Sequence, residues 1–230
     1  MLYINAVSAK LMELTADLQR DIVLKDYILG GGTALALQLG HRTSKDIDLF
    51  TTEKQDNNKL IEYFNKKFKS FDVVHIDTYI LRLVIHNISV DLMSTNQVIL
   101  EPPIEEGNIR LFGIKDIAPM KLRAILLRNE PKDYIDIAFI LKNIPLKTMF
   151  DLYKEKYSTS DILFVKKSLA SCENIDKNEL ESIQMLAKDI NVYDVPKIIL
   201  NEISRYNSQY VMGKKSSLLD WFKKAPPVLD

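Results

Sequence analysis

The chain has 230 residues, of which 47% are hydrophobic and 27% charged, and its formal net charge at pH 7 is zero. This composition is that of a globular protein with one or two domains, and it excludes nucleic-acid binding through overall charge alone. The single cysteine, Cys172, excludes an internal disulfide framework and a cysteine-based zinc site. Without a signal-peptide block or an apolar run long enough to span a bilayer, we predict a soluble, cytoplasmic protein with no membrane partner.

The first forty residues predict a helix, a short strand and a second helix. Apolar side chains between residues 4 and 20 recur at the spacing of an amphipathic helix. The segment DYILGGG (26–32) predicts a buried strand that runs into a glycine turn. TALALQLG (33–40) is rich in helix formers and predicts a helix that ends at Gly40.

The next part of the chain predicts most of the sheet. β-branched residues dominate it, and turn residues separate the predicted strands. The predicted elements are a strand over DIDLF (46–50), a helix capped by Asp56 over 57–68, three antiparallel strands within 71–93 with a tight turn at His86-Asn87, a loop over EPPIEEGN (101–108) and a last strand over IRLF (109–112).

From Ile114 onward only helical patterns occur, so we predict an α+β fold with an all-helical C-terminal region. The expected domains are residues 1–113 and 114–230, the second contributing side chains to the cleft of the first. The predicted helices cover 114–129, 131–143, 146–157, 161–170, 178–190, 195–211 and 216–224.

Asp46 and Asp48 are the first candidates for chemistry. On a strand, residues i and i+2 face the same side, so these two carboxylates would lie close together. Such a pair repels itself unless a cation lies between the groups, and carboxylates are ligands suited to Mg²⁺ or Mn²⁺. Asp91, inside another apolar strand, is a third candidate ligand. The alternative for all three is a solvated position on an exposed strand.

The glycine run before Asp46 predicts a phosphate site. A strand followed by Gly31, Gly32 and Thr33 and then a helix places backbone N–H groups at the positive end of that helix. The Thr33 hydroxyl is expected to cap the helix or to contact a phosphate oxygen. A phosphate cradle beside a metal pair indicates a nucleoside triphosphate site. The sequence has neither G-K-[ST] nor G-x-G-x-x-G there, which argues against a P-loop and a dinucleotide fold.

The stretch GGTALALQLGHRTSKDIDLF resembles the signature of the DNA polymerase β-like nucleotidyltransferases, in which Asp-x-Asp follows Gly-Gly-[Ser/Thr] after about a dozen residues. The later stretch KLRAILLRNEPKDYIDIAFIL, after the Asp91 strand, is similar to the AbiEii-type nucleotidyltransferase toxin family. The resemblance extends from about Tyr27 to Leu141. It implies a polymerase-β-like mixed sheet with flanking helices.

The resemblance also implies roles for the motif residues. Asp46 and Asp48 would hold two Mg²⁺ ions, with Mn²⁺ as a possible substitute. Asp91 would bind the catalytic metal and help to activate the attacking hydroxyl. Gly31–Thr33 would hold the β- and γ-phosphates of the nucleotide.

The later stretch adds basic and acidic candidates. Lys121 and Arg128 are seven residues apart and share a helix face, where they could neutralise charge on the triphosphate. In the family a lysine and a downstream aspartate are further catalytic positions, which correspond here to Lys121 and Asp136. Asp133 lies on the same helix face as Asp136. The alternative for Lys121, Arg128, Lys132 and Asp133 is a solvated, salt-bridged helix face.

Two further basic segments are ambiguous. His41, Arg42 and Lys45 are expected either to meet phosphate or the acceptor, or to lie in a plain exposed loop. Between Arg205 and Lys224, five basic residues lie beside Tyr206, Tyr210 and Trp221, which suits RNA contact and base stacking. The alternative for that segment is an amphipathic helix packed on the bundle.

Together these features favour an Mg²⁺-dependent enzyme that transfers a nucleoside monophosphate to a hydroxyl and releases pyrophosphate. The resemblance implies the toxin of a toxin–antitoxin or phage-defence system, with an antitoxin partner. Some relatives modify tRNA 3′ ends, which makes tRNA the preferred acceptor. The alternatives are transfer to a protein side chain, and a non-catalytic module that binds a nucleotide and docks a partner.

Overall fold

The structure is a computed structural model that describes residues 1–159 and 161–212, with side chains described as far as Tyr210. Its strands are β1 (Ile28–Leu29), β2 (Ile47–Thr51), β3 (Asp72–Ile76), β4 (Ile80–Ile85), β5 (Ile88–Ser94), β6 (Ile104–Glu106) and β7 (Ile109–Leu111). Its α-helices are α1 (Ala9–Arg20), α2 (Gly31–Leu39), α3 (Asn57–Lys67), α4 (Ile114–Arg128), α5 (Pro131–Ile140), α6 (Leu146–Tyr157), α7 (Leu163–Ala170), α8 (Lys177–Glu181) and α9 (Val195–Tyr206).

The strands form one mixed sheet with flanking helices, which confirms the predicted fold class. Over the described residues the sheet has seven strands in the order β3-β4-β5-β2-β1-β7-β6. β2 runs parallel to β5 and β1 parallel to β7, whereas the other neighbouring pairs are antiparallel. The parallel pairing of β2 with β5 brings the two aspartate-bearing strands side by side.

Local sequence explains where the first helices begin and end. The Ser8 side chain accepts a hydrogen bond from the Leu11 N–H, so α1 begins at Ala9 and not at residue 4. Gly40, at φ 61°, ends α2 as predicted, because glycine enters the left-handed region without steric cost. The Asp56 side chain accepts from the Lys59 N–H and caps α3, also as predicted.

The hairpin of β4 and β5 sets the register of the site. His86 and Asn87 both have positive φ, at 52° and 63°, as a two-residue turn between antiparallel strands requires. This turn pairs Ile85 with Ile88 and, further along, Arg82 with Asp91. The predicted turn position is confirmed.

The helical half packs onto the sheet half through a continuous core. Helix α4 contacts α2, α5, α6 and α7. One buried apolar cluster includes Leu49 and Val90 from the sheet and Leu122 and Ile137 from the helices. No helix in the described ranges combines the length and apolarity that crossing a membrane needs.

Two element predictions differ from the structure, and a third is not tested by it. The helix expected over 178–190 is limited to α8, because the chain after it pairs with residues 41–43: Thr43 N–H donates to the Gln184 carbonyl at 2.9 Å. The loop expected over 101–108 contains β6, which pairs with β7. The helix expected over 216–224 lies outside the described residues.

Candidate active site

A row of three charged side chains crosses the middle of the sheet. Asp48 on β2 is in register with Asp91 on β5, and Asp91 is in register with Arg82 on β4. The Arg82 guanidinium donates two hydrogen bonds to the Asp91 carboxylate, at 2.8 and 2.6 Å. The Asp91 side chain is 11% exposed and that of Arg82 47% exposed, so the row runs from half-buried sheet to solvent.

The carboxylates of this row are crowded. Burial, followed by the negative charges of Asp91 and Asp46, raises the pKa of Asp48 to about 6, although Lys121 and Arg128 oppose the rise. Asp46 immediately precedes β2 and is exposed. Near neutral pH, a positive charge beside Asp48 would therefore be stabilised.

These carboxylates suit a divalent cation but do not form a complete coordination site. Across residues 1–159 and 161–212, no three carboxylate, imidazole or thiol groups are gathered as metal ligands. The donors are nonetheless hard oxygens, and a cation would relieve the repulsion that raises the pKa of Asp48. The residues present thus fit a divalent metal at Asp48, with Asp46 and Asp91 as adjacent donors.

The start of α2 lies directly against this row. Gly31 has φ +61°, and a Cβ added there would lie 1.9 Å from the Asp48 Oδ2. A Cβ added to Gly32 would lie 2.6 Å from a terminal nitrogen of Arg42. Glycine is therefore required at position 31, a side chain at position 32 would displace the Arg42 guanidinium, and the positive end of α2 faces Asp48 and Arg42.

Thr33 connects this helix to the aspartate segment. Gly30 is the N-cap residue of α2, so Thr33 does not cap the helix. The buried Thr33 hydroxyl donates to the backbone carbonyl of Asp46 and lies 2.8 Å from the Ser44 hydroxyl. It fixes the position of the chain just before Asp48.

A buried network of ion pairs lies beneath the cleft. The Lys121 ammonium lies 2.6 Å from the Asp136 carboxylate and 2.9 Å from that of Asp133. Arg42 donates to both oxygens of Asp136, at 2.6 and 2.8 Å, and the His41 Nε2 lies 2.8 Å from one of them. Asp136 thus connects α5 to His41 and Arg42, which lie nearly a hundred positions earlier in the sequence.

The network keeps its members ionised. Burial raises the pKa of Asp136, but the charges of Lys121 and Arg42 outweigh it and hold the pKa well below its usual range. Burial likewise lowers the pKa of Lys121, and Asp136 and Asp133 raise it above its usual value. Lys121 therefore stays positively charged at the wall of the cleft.

The structure overturns the solvated alternative for two of the four helix residues, Lys121 and Asp133. Lys121 is 3% exposed and Asp133 is fully buried, so they do not form a solvated helix face. Arg128 and Lys132 are partly exposed, and both pair with Glu130. In the loop before β2, His41 and Arg42 are buried, whereas Lys45 is exposed, as the alternative of a plain exposed loop expected.

The cleft has two lobes that meet at the charged row. The first cavity has a volume of about 470 Å³, and we call it the polar lobe. It is lined by Gly32, Arg42, Thr43, Ser44, Lys45, Asp46, Ser89, Glu130, Lys132 and Ser182–Gln184. The second cavity has a volume of about 490 Å³, and we call it the apolar lobe. It is lined mainly by Phe50, Tyr79, Ile80, Met93, Ile99, Phe112, Met120, Arg123, Leu127 and Tyr157. Both lobes share Asp48, Arg82, Asp91, Lys121 and Arg128.

Arg82 is the functional candidate that the sequence-based reasoning missed. The signal was present: a two-residue turn at His86-Asn87 pairs residues 85 and 88, and counting outward pairs Arg82 with Asp91. An arginine opposite a candidate catalytic carboxylate on a sheet is a cross-strand ion pair.

The basic C-terminal segment is only partly described. Arg205 pairs with Glu202, and the Tyr206 ring packs on Phe150 with ring centroids 5.0 Å apart. These contacts favour packing on the bundle for the described part of α9. The residues after Met212 lie outside the described ranges.

Comparisons with known proteins identify the family and the fold that the chain shares. A family model described as "Nucleotidyl transferase AbiEii toxin, Type IV TA system" matches residues 14–196. The chain is 29% identical over 181 residues to "Uncharacterized protein aq_aa25" of Aquifex aeolicus (strain VF5), a match that covers 76% of this chain and 88% of the relative.

Two solved structures share the fold. JHP933 from Helicobacter pylori is similar with a TM-score of 0.56 and 15% identity, over 95% of this chain and 100% of that one. MenT4, the nucleotidyltransferase toxin Rv2826c from Mycobacterium tuberculosis H37Rv, is similar with a TM-score of 0.52 and 13% identity, over 84% of this chain and 80% of that one.

Proposed function

The chain belongs to the AbiEii nucleotidyl transferase toxin family and is a nucleotidyltransferase, and we propose that it moves a nucleoside monophosphate to the 3′ hydroxyl of an RNA, with tRNA as the preferred acceptor and Mg²⁺ as the metal. Family membership implies a nucleoside triphosphate substrate and a cognate antitoxin. A cytoplasmic location and a role in phage defence belong to this proposal as well.

One observation carries the proposal: Asp48 and Asp91 lie in register beside the N-terminus of α2 and the buried, charged Lys121. Phosphate oxygens are attracted to a helix N-terminus and to fixed cations, whereas carboxylates bind a metal. The polar lobe contains Gly32, Arg42 and Lys132 at one edge of the carboxylate row. We therefore assign the triphosphate to the polar lobe, with its α-phosphate at the row.

We propose separate metal-binding and phosphate-binding roles for the motif residues. When bound, two Mg²⁺ ions held by Asp46, Asp48 and Asp91 would neutralise charge on the phosphates and lower the pKa of the attacking hydroxyl. Gly31–Thr33 would orient the β- and γ-phosphates through the helix N-terminus, with Lys121 and Arg128 as the side-chain cations.

Asp136 takes a different role from the catalytic one expected from the resemblance. It is fully buried, and its carboxylate is occupied by His41, Arg42 and Lys121. We propose that it is a positioning residue, which holds Arg42 and Lys121 toward the polar lobe. Arg82 is proposed to position Asp91 through its two hydrogen bonds.

The acceptor is tested by a survey with the wild-type protein. Each of the four labelled nucleoside triphosphates is incubated with Mg²⁺ and either total tRNA or a protein extract, and pyrophosphate release is followed in parallel. We expect label on RNA together with pyrophosphate. Label on protein alone would contradict the RNA acceptor, and the absence of both label and pyrophosphate would contradict transfer itself.

The close approach of Gly31 to Asp48 gives a first prediction. We expect Gly31→Ala to lower transfer by about 100-fold, because the added Cβ must displace the Asp48 carboxylate from its position. Steady-state rates measure the loss of transfer, and urea denaturation measures any change in stability separately.

Gly107→Ala is the matched control for this variant. Gly107 has the same φ of +61°, but a Cβ added there meets nothing within 4 Å. It should therefore lose about 1 kcal/mol of stability from backbone strain and keep full activity. Equal activity of the two variants would contradict the role given to the Gly31 approach.

A further inference from the structure

The two lobes differ sharply in chemistry, and this difference bears on where the acceptor binds. Apart from the shared row, the polar lobe is lined by charged and hydroxyl side chains, with Ile183 as its one large apolar residue in the described ranges. The apolar lobe is lined mainly by aromatic, aliphatic and thioether side chains, together with Gly31, Ser94, Thr95, Gln97, Arg123 and Lys156. A triphosphate is suited to the first lobe and poorly suited to the second.

The geometry of phosphoryl chemistry relates the lobes to each other. The attacking and leaving oxygens lie roughly in line on opposite sides of the phosphorus. With the α-phosphate at the charged row and pyrophosphate leaving through the polar lobe, the attacking hydroxyl must approach from the other side of the row. That side is the apolar lobe, which shares Asp48 and Asp91 with the polar one.

The surface of the apolar lobe suits an unpaired nucleobase. Tyr79 is 64% exposed and Leu127 70% exposed, so both present apolar surface to solvent. Aromatic and aliphatic side chains of this kind stack on the face of an unpaired base. A base at the end of a strand would cover the apolar area that is open to solvent in the free protein.

Arg123 supplies a charge at the same lobe. Its guanidinium stacks 4.8 Å from the centroid of the Tyr157 ring, and no carboxylate lies within ion-pair distance of it among the described residues. An exposed arginine held by an aromatic ring keeps its N–H donors available for a phosphate. The lobe therefore offers both a stacking surface and a contact for a nucleic-acid backbone.

We infer that the apolar lobe is the acceptor subsite and takes the unpaired terminal nucleobase of the RNA, with Tyr79 and Leu127 against the base and Arg123 on the adjacent phosphate. This inference rests on the proposed function. The acceptor 3′ oxygen forms a bond to the α-phosphorus while the bond from that phosphorus to the bridging α–β oxygen breaks. Pyrophosphate leaves through the polar lobe, and the hydroxyl proton passes to water.

The test compares two hairpin RNAs that differ only in whether the 3′ end is unpaired or blunt. For the unpaired RNA we expect Tyr79→Ala, Leu127→Ala and Arg123→Ala each to raise the KM for RNA by about tenfold, because one stacking or phosphate contact is lost. The affinity for a non-hydrolysable nucleoside triphosphate, measured by calorimetry, should stay at the wild-type value. Tyr79→Phe, which keeps the ring, should restore the wild-type KM.

Two control variants remove comparable groups elsewhere. Phe164→Ala removes a 62% exposed ring from α7, and Arg20→Ala removes an exposed arginine from the end of α1. Neither residue lines the apolar lobe, so both variants should behave as the wild type with the unpaired and the blunt RNA.

The outcomes separate this inference from the function on which it rests. If the wild type labels RNA but the lobe variants keep the KM of the controls, the subsite is wrong and the RNA acceptor stands. If the lobe variants weaken nucleotide affinity instead, the lobe takes the incoming nucleobase and the inference is also wrong. If the wild type labels no RNA, the proposed acceptor fails and the inference fails with it.

Discussion

Replacing Asp48 with asparagine is expected to make the protein more stable and almost inactive at the same time. Activity should fall by about 10³-fold or more, because the metal loses a charged ligand, and stabilisation of phosphate charge by a metal is a term of several kcal/mol. Stability should rise by about 2 kcal/mol at pH 7, since the Asp48 carboxylate is crowded by burial and by neighbouring negative charge.

The pH dependence of this gain follows from the direction of the pKa shift. The pKa of Asp48 rises from 3.8 to about 6 on folding, so the folded protein binds more protons than the unfolded chain between these values. The wild type therefore loses this contribution to stability as pH rises through about 6. Urea denaturation of the wild type and Asp48→Asn should give curves that converge at pH 4 and separate at pH 7.

Asp46→Asn is the control for the stability half of this prediction. Asp46 is exposed just before β2, so the same chemical change there should alter stability by less than about 0.5 kcal/mol. It should still reduce transfer, because Asp46 is a proposed metal ligand. A destabilised Asp48→Asn would contradict the crowding of the carboxylates, and a fully active one would contradict the proposed site.

Replacing Asp136 with asparagine is expected to cost about 3–5 kcal/mol, because it leaves the buried charges of Arg42 and Lys121 without their main partner. The pKa of Asp136 lies well below its usual range in the folded protein, so its contribution to stability is present above pH 3.8 and is lost on acidification below that value. The loss of stability in the variant should therefore be largest near neutral pH and shrink in acid. Urea denaturation across this range measures it.

Asp189→Asn provides the matched control for Asp136→Asn. Asp189 also pairs with a lysine, Lys142, but both side chains are about half exposed. An exposed pair contributes little to stability, so this change should cost less than about 1 kcal/mol. Similar losses for the two variants would contradict the view that burial makes the Asp136 network important.

The sequence predicted much of the sheet and of the proposed site because those features depend on local patterns. The turn at His86-Asn87 and the helix end at Gly40 follow from backbone preferences of a few residues. The pairing of Asp48 with Asp91 needed only the assumption that two aspartate-bearing strands are neighbours, which the sheet order bears out.

The remaining features depend on contacts between distant parts of the chain. Nothing local in HRTSK distinguishes an exposed loop from one whose Arg42 pairs with a carboxylate at position 136. The helix expected over 178–190 failed for the same reason, since Gln184 and Met185 pair with residues 41–43 and local propensity does not report that pairing. To find Arg82, the register of the β4–β5 hairpin has to be counted out from its turn. That register points to Arg82 only once Asp91 is considered as part of the site.

The catalytic role of Asp46 and Asp48 is tested by transfer of label from nucleoside triphosphates to tRNA by the wild type and by the double variant Asp46→Ala/Asp48→Ala. We expect labelled RNA and released pyrophosphate with the wild type and Mg²⁺, and neither product after chelation of the metal or with the double variant. Circular dichroism of the double variant should match that of the wild type. Equal labelling by the two proteins would contradict the claim that these carboxylates drive the transfer.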